Sequence, residues 1–139
     1  DVQLSQEGML YIDDYAHHPT EIKAAIAGAR ELYPNRKLTI VFQPHTYTRT
    51  KQLFHQFARA MKGADRVLLL PIYAAREENE SGVSSRELAV AMLESCANTT
   101  YLDAFDSVVD TIKSTANNQD VILVLGAGDV TKIATALAA

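Results

Sequence analysis

Short apolar runs alternate along the chain with longer segments in which apolar residues recur at helical spacing. The runs at 38–42, 67–70 and 121–125 are continuous, which predicts strands buried on both faces of a sheet. Between the runs, apolar residues return at every third or fourth position, as in helices that bury one face. The two clearest helical stripes are Ile22, Ala25, Ile26, Ala29 and Leu32, and then Leu53, Phe54, Phe57, Ala58 and Met61.

Most of the helical segments carry a recognisable start or stop signal. Pro19 suits the first helical position because its φ is fixed, and Pro34 ends that helix. The run 84–87, Ser-Ser-Arg-Glu, predicts a capping box. Asp103 and Asp129 are predicted to cap the last two helices. The apolar stripes of the three later helices are Leu88 and Met92, then Phe105, Val108, Val109 and Ile112, then Ile133 and Leu137.

Weaker strands at 2–4, 9–12 and 100–102 complete the pattern, and the first two are expected to pair antiparallel across a turn at Gly8. Strands that alternate with helices predict a parallel sheet with helices on both faces. The expected fold is a Rossmann-like α/β domain with a mostly parallel sheet of about six strands and one antiparallel edge strand. No linker or repeat divides residues 1–139, so a single domain is expected.

The composition argues against several classes of function. The 139 residues carry a net charge of −4, and nothing indicates the basic face that a nucleic-acid partner requires. A local anion site stays open, because a helix start can bind an anion whatever the net charge. No apolar run approaches the roughly 18 residues of a membrane span, and no secretory signal opens the chain. Cys96 is the single cysteine, which fits a reducing cytoplasmic setting, and it is expected to be an apolar filler.

Polar residues cluster where four of the predicted strands end, and ligands bind at that edge of a parallel sheet. The first cluster is 13–19, Asp-Asp-Tyr-Ala-His-His-Pro. Its carboxylates suit ribose hydroxyls or a metal, and its imidazoles suit carboxylates or phosphates. A zinc site is not expected, since His17 and His18 are adjacent and no further ligand motif stands nearby. In the alternative interpretation, one aspartate serves a turn and one histidine caps the helix.

The second cluster is 43–50, Gln-Pro-His-Thr-Tyr-Thr-Arg-Thr, between a strand and a helix. Arg49 offers two parallel donors to a carboxylate or phosphate, and His45 adds another. Thr48 or Thr50 is predicted to cap the helix.

The third cluster, 72–77, follows the third buried strand and ends in Arg76 and Glu77. These two residues either belong to the site or form a solvated ion pair that contributes little.

The fourth cluster is 125–129, Leu-Gly-Ala-Gly-Asp. Gly126 and Gly128 permit a tight turn and a close approach of the backbone to an anion or a neighbouring loop. The dinucleotide-binding fingerprint is incomplete, because Thr131 stands in place of its third glycine. No GxxxxGK[ST] phosphate loop occurs anywhere in the chain.

Taken together, these segments resemble the signatures of one enzyme family. The segment 13–21, Asp-Asp-Tyr-Ala-His-His-Pro-Thr-Glu, resembles the sequence that opens the C-terminal domain of Mur ligases, in the branch that adds L-alanine to UDP-N-acetylmuramate. The segments 42–50, 71–77 and 125–129 resemble later signatures of the same branch, in the same order. The resemblance covers nearly all of the chain.

The resemblance implies a three-domain cytoplasmic enzyme, of which this chain is the C-terminal domain. The start at Asp1 rather than Met agrees with that expectation. An N-terminal domain that holds the UDP-sugar and a central domain with the phosphate loop and magnesium ligands are absent from residues 1–139. ATP phosphorylates the carboxylate of UDP-N-acetylmuramate, and the amine of L-alanine attacks the resulting acyl phosphate. ATP and Mg²⁺ are therefore the implied cofactors, and residues 1–139 alone are not expected to catalyse ligation.

The resemblance also implies a role for each candidate residue. Asp14 and Tyr15 bind the nucleotide, with Asp14 at the ATP ribose. His17, His45 and Arg49 hold oxygens of the amino acid or of a phosphate. Neither a catalytic residue nor a metal ligand is assigned. Further candidates are Thr46, Arg76, Gly126 and Gly128.

One residue departs from the family pattern, and two other interpretations stay open. Many relatives have an arginine at the position of Thr46, where it contacts the amino-acid carboxylate, so Arg49 is expected to take more of that role. A recycling ligase that attaches a murein tripeptide to the same sugar shares the core of 13–19, although 42–50 is closer to the alanine-adding branch. A free-standing α/β module that binds a nucleotide or small anion is the other alternative, since the phosphate loop is missing.

Overall fold

The strands and helices follow the alternation that the sequence predicts. The structure is a computed structural model that describes residues 2–4, 10–126 and 128–138. The strands are β1 (Val2–Leu4), β2 (Leu10–Asp14), β3 (Lys37–Phe42), β4 (Arg66–Leu69), β5 (Thr99–Tyr101) and β6 (Asp120–Leu125). The helices are α1 (Pro19–Leu32), α2 (Tyr47–Gln52), α3 (Phe54–Ala60), α4 (Ser85–Met92), α5 (Phe105–Thr115) and α6 (Thr131–Ala138).

The strands form a six-stranded sheet in the order β1-β2-β6-β3-β4-β5. All neighbouring pairs are parallel except β1 and β2, which are antiparallel at one edge. In the centre, Ile40 of β3 lies between Val67 of β4 and Leu123 of β6, so apolar side chains form rows across the sheet. The predicted α/β fold with one antiparallel edge strand is confirmed. The predicted turn at Gly8 lies outside the described residues.

Helices cover both faces of the sheet, because its central strands have buried side chains on both sides. Ile40 belongs to a core with α1, α3 and α4, whereas the adjacent Val41 belongs to a core with α5 and α6. Successive residues of β3 therefore point to different cores, as the pleat of a strand requires. Cys96 is 5% exposed and lies in the first core, so its predicted role as apolar filler is confirmed. None of the helices in the described part of the chain has the length and apolar character needed to cross a membrane.

Strand boundaries differ from the prediction by a residue or two in several elements, and two differences affect the candidate loops. Asp13 and Asp14 belong to β2 and not to the following loop, because they pair with Val124 and Leu125 of β6. The helix predicted from the stripe at 53–61 is confirmed as α3, but it does not continue from the predicted cap at Thr48 or Thr50, because Leu53, with φ −110° and ψ 18°, separates it from α2.

The helix caps also differ in part from the prediction. The prediction for Asp103 is wrong, because Ala104 is the N-cap of α5 and supplies no side-chain acceptor. Ser84 does cap α4, with its Oγ accepting from the N–H of Glu87 at 3.2 Å. The cap predicted at Asp129 stays a prediction, and α6 begins two residues later, at Thr131.

Asp65 ties the end of α1 to the start of β3. Its Oδ2 accepts from Nη2 of Arg30 at 2.6 Å and from the N–H of Leu38 at 2.7 Å. Burial alone would raise the pKa of Asp65, but the hydrogen bonds from Leu38 and Arg30 and the charge of Arg30 outweigh it and lower the pKa. The carboxylate is therefore stabilised in its charged form by the fold.

Asp65→Asn is expected to lower the free energy of unfolding by about 1 kcal/mol at pH 7, because the pair is partly exposed and screened by solvent. A depressed folded-state pKa contributes stability above the ordinary Asp pKa of about 3.9, and that contribution is lost as pH falls through the folded value. The difference between variant and parent should therefore vanish in acid. Urea unfolding at several pH values measures it, with the exposed Asp103→Asn as control; equal losses in the two variants would contradict the assignment.

Candidate functional site

The four polar segments meet at one edge of the sheet. They follow the carboxyl ends of β2, β6, β3 and β4, which are neighbours in the sheet. Main-chain hydrogen bonds continue past the strand ends: the N–H of Gly126 donates to the carbonyl of Asp14 at 3.3 Å, and the N–H of Gln43 donates to that of Leu125 at 3.1 Å. This is the edge where ligands bind in parallel α/β sheets, so the segments form one candidate site.

The end of β2 presents two carboxylates and an exposed ring. Oδ1 of Asp14 accepts from the N–H of Ala16 at 2.9 Å, so the alternative in which one aspartate serves a turn is confirmed. A carboxylate has two oxygens, and Asp14 can keep this turn while it accepts from a ligand hydroxyl. Burial, and then the adjacent Asp14, raise the pKa of Asp13. Tyr15 is 68% exposed, which leaves its ring accessible to a flat ligand group.

The start of α1 positions His17 through a capping box. His18 is the N-cap, with its Nδ1 accepting from the N–H of Thr20, while Glu21 accepts from the N–H groups of His17 and His18 at 3.2 and 3.0 Å. These hydrogen bonds lower the pKa of Glu21. Nδ1 of His17 lies 2.9 Å from the carbonyl of Tyr15, which can only accept. Nδ1 therefore carries a proton, and Nε2 is the ring nitrogen that can serve a ligand.

The start of α2 depends on Thr46. Its Oγ1 accepts from the N–H of Arg49 at 3.2 Å, and its carbonyl accepts from Oγ1 of Thr50 at 2.7 Å. The predicted cap at Thr48 or Thr50 is wrong, because the helix begins at Tyr47 with Thr46 as its N-cap. Thr46 has φ 65° and ψ 145°, a strained conformation for a β-branched residue. This conformation places Arg49 in the first turn of α2.

His45 lies at the centre of the site. Its Nδ1 is 3.5 Å from Nη1 of Arg49, its ring stacks on that of Tyr73 with centroids 5.4 Å apart, and the ring of His17 meets it edge-on at 6.4 Å. Burial lowers the pKa of His45, and Arg49 and His17 lower it further, whereas Glu77 opposes them. Because a guanidinium can only donate, Nδ1 of His45 is an acceptor here and the imidazole is neutral, with its proton on Nε2.

The two glycines allow neighbouring loops to approach closely. A Cβ on Gly126 would lie 2.6 Å from Cγ1 of Val130 and 3.1 Å from the carbonyl oxygen of Gln43, and its φ is 149°. A Cβ on Gly128 would lie 2.9 Å from Cγ of Tyr73. In the structure, each glycine therefore makes room for a neighbouring group, one of the two roles predicted for the pair.

The remaining predicted residues separate into two environments. Arg76 is exposed, and in the described part of the chain it forms no ion pair with Glu77. Glu77 instead turns toward α2, where its Oε1 accepts from the N–H of Thr48 at 2.9 Å. Sequence reasoning assigned no role to Tyr73 or Gln43, which lies 7% exposed at the end of β3. The signal that could have identified them was the position of Gln43 directly after β3 and of Tyr73 within the polar segment 72–77 that follows β4.

The side chains at this edge can bind an anion next to a hydroxyl-bearing group. Donors come from His17, His45 and Arg49, and an acceptor comes from Asp14. In the ranges that the structure describes, no group of three His, Cys, Asp or Glu side chains could hold a metal ion. The arrangement thus suits positioning and charge neutralisation of a bound ligand.

The fold and this edge together define a parallel α/β domain that supplies ligand-binding loops. The family described as "Mur ligase, glutamate ligase domain" matches residues 2–128, and the chain belongs to that family.

Two relatives illustrate the similarity in sequence. The chain is 46% identical over 128 residues to UDP-N-acetylmuramate–L-alanine ligase of Clostridium acetobutylicum, covering 92% of this chain and 28% of that protein. It is 42% identical over 129 residues to the enzyme of the same name from Nitratidesulfovibrio vulgaris, with the same coverage of 92% and 28%. The chain thus spans well under a third of the length of these relatives.

Solved structures agree on the fold. UDP-N-acetylmuramate-alanine ligase from Thermotoga maritima superposes with a TM-score of 0.74 at 25% identity, over 96% of this chain and 27% of that one. A murein peptide ligase from Psychrobacter arcticus gives a TM-score of 0.80 at 22% identity, over 99% of this chain and 29% of that one.

Thr46→Gly is expected to leave the protein as stable as its parent or more stable. Glycine relieves a backbone strain of about 1–3 kcal/mol and is itself a tolerable N-cap. Thr46→Ala is the matched control, because it keeps the strain and loses the Oγ1 acceptor, at a cost of about 1 kcal/mol. Chemical denaturation compares the two, and a glycine variant less stable than the alanine variant would show that the strain is absent.

Gly126→Ala is expected to destabilise the domain by about 2–4 kcal/mol, since its positive φ disfavours a side chain and the new Cβ would overlap Val130. Gly28→Ala is the matched control: a Cβ there meets nothing within 4 Å, and alanine should stabilise α1 by about 0.5–1 kcal/mol. Thermal and urea unfolding measure both variants. Similar effects at the two positions would contradict the close packing of Gly126.

Proposed function

We propose that this chain is the C-terminal domain of an ATP-dependent ligase that joins L-alanine to UDP-N-acetylmuramate in peptidoglycan synthesis, and that it contributes nucleotide and amino-acid contacts. The observation that carries the proposal is the meeting of His17, His45 and Arg49 at one sheet edge, in a chain whose relatives are ligases of that name. The domain by itself is proposed to be inactive, because the phosphate loop is not within these residues.

The proposed contribution of the site is to hold crowded oxygens in place. Joining an amine to an acyl phosphate gathers carboxylate and phosphate charges, so fixed donors stabilise the reacting geometry. Arg49 binds a carboxylate or phosphate through its planar fork, and the neutral His45 donates through Nε2. His17 adds a third donor or acceptor through its own Nε2.

The residues present also suit a nucleotide better than a metal. The exposed Tyr15 ring can lie against a base, and Asp14 has the oxygen to accept from a ribose hydroxyl. ATP supplies the activation of the sugar carboxylate as an acyl phosphate. Since the described residues contain no three-ligand metal group, Mg²⁺ would be held by parts of the enzyme beyond this chain. The need for ATP and the buried, unpaired Cys96 support a cytoplasmic location.

A second candidate is the ligase that attaches a murein peptide to the same sugar. The resemblance implies that it shares the core of residues 13–19, whereas the likeness to the Psychrobacter enzyme, at 22% identity, concerns the fold alone. The alanine ligases are the better proposal, because the enzyme of that name from Clostridium acetobutylicum is 46% identical over 92% of this chain, and among solved structures the Thermotoga alanine ligase is 25% identical against 22% for the murein peptide ligase.

The test uses the full-length ligase that carries this domain. Arg49→Ala is expected to raise the KM for L-alanine by about ten- to a hundredfold, because a carboxylate loses its bidentate partner. Arg49→Lys should recover only part of the loss, and Arg59→Ala on the exposed side of α3 should change nothing. Unchanged kinetics in Arg49→Ala would overturn its assignment. A preference for a murein tripeptide over L-alanine as the amine would favour the second candidate.

A further inference from the structure

The segment after β4 is joined to the segment after β3 by main-chain hydrogen bonds. The N–H of Tyr73 donates to the carbonyl of Pro44 at 2.8 Å, and the N–H of Thr46 donates to the carbonyl of Tyr73 at 2.8 Å. The two bonds enclose His45 and form a parallel bridge between it and Tyr73. The pairing of β3 and β4 is thereby extended into the candidate site, and the backbone of His45 is held by its neighbour.

The ring of Tyr73 is itself held in place. It stacks on His45 with an angle of 26° between the rings, and it lies against Gly128 from the segment after β6. A Cβ on Gly128 would lie 2.9 to 3.2 Å from three atoms of the ring, so only glycine leaves room for it. Tyr73 therefore links the loops of three strands and limits where the imidazole of His45 can lie.

Glu77 stabilises the start of α2, the helix that carries Arg49. Its Oε1 accepts from the N–H of Thr48 at 2.9 Å, and this hydrogen bond lowers the pKa of Glu77, which keeps it charged. A tight turn directs it there, because Ala75 has φ 59° and the N–H groups of Arg76 and Glu77 both donate to the carbonyl of Ala74 at 2.9 Å. Glu77 thus fixes the first turn of α2, which carries Arg49.

We propose that Tyr73 and Glu77 are positioning residues that set the orientation of His45 relative to Arg49. Tyr73 fixes the imidazole by stacking, and Glu77 fixes the helix start that carries the guanidinium. Neither needs to touch the ligand. The placement itself is independent of the proposed function, whereas its consequence for L-alanine binding rests on that function.

The first test follows the imidazole titration of His45 by NMR in the 139-residue chain. Tyr73→Leu admits water to His45 and should raise its pKa toward the ordinary value, because burial is the main cause of the depression. Glu77→Gln keeps an acceptor for the N–H of Thr48 but removes the opposing negative charge, so the pKa of His45 should fall further. Arg49 and His17, which also act on His45, are left intact.

The pKa of His45 should rise in Tyr73→Leu and fall in Glu77→Gln, and these opposite changes distinguish positioning from a general loosening of the fold. Loosening would raise the pKa of His45 in both variants, because both would admit water. Tyr73→Phe is the control that keeps the stack and should leave the titration unchanged. If Tyr73→Leu does not fold, Tyr73→Met is the second variant, because its flexible side chain fills irregular space without a ring. An unchanged pKa in the folded Leu or Met variant, or a rise in Glu77→Gln, would overturn the proposal.

The second test measures steady-state kinetics in the full-length ligase. Tyr73→Leu should raise the KM for L-alanine by about tenfold while the KM for ATP stays within twofold of the parent. Tyr73→Phe, which keeps the ring stack, should have the same KM for L-alanine as the parent. If the NMR shifts occur but neither Tyr73→Leu nor Arg49→Ala affects L-alanine, the positioning stands and the proposed function fails. If Arg49→Ala alone has an effect and the NMR shifts are absent, the proposed function stands and the positioning fails.

Discussion

The parallel hydrogen-bond ladder from β2 through β6 and β3 to β4 is the constraint on which the candidate site depends. The strands β3, β4 and β6 are buried on both faces, and the two cores set the register by accepting alternate side chains of the same strand. Since all of these strands point the same way, four polar segments that are far apart in sequence emerge side by side. A shift of one residue in β3 would exchange the two core faces and also displace His45 from Tyr73 and His17, which follow other strands.

Beyond the strand ends, the backbone adopts conformations that the ladder alone does not impose. Thr46 and Ala75 have positive φ, and so does Gly126. Such conformations are unfavourable for most residues and persist only where surrounding contacts hold them. Here the contacts are cross-loop hydrogen bonds, such as that between Thr46 and Tyr73, and close packing on Gly128. The stable cores thus support a strained and rigid rim, which is suitable for holding small ligands in a fixed geometry.

Neighbouring ionisable groups at this rim have pKa values that are shifted by different causes. Burial and the charge of Arg49 lower the pKa of His45, while hydrogen bonds from backbone N–H groups lower the pKa of Glu21 and of Glu77. The rim can therefore offer neutral and cationic donors together, with carboxylates occupied by helix starts. This fits the proposed role of the site, the positioning of a bound ligand, in a chain that belongs to the Mur ligase family.

Local patterns in the sequence determined the order of elements, the parallel sheet with its antiparallel edge, and the set of polar segments at its rim, because buried strands and amphipathic helices have distinct periods. The sequence alone also identified Pro19 at the first turn of α1 and the capping role of Ser84. Only the tertiary structure decided that Thr46 caps α2, that Leu53 breaks the helix, and that Glu77 faces Thr48 and not Arg76. The contact of Glu77 with Thr48 and the hydrogen bond from the N–H of Thr46 to Tyr73 join segments distant in sequence, and local spacing carries no information about which loops will touch.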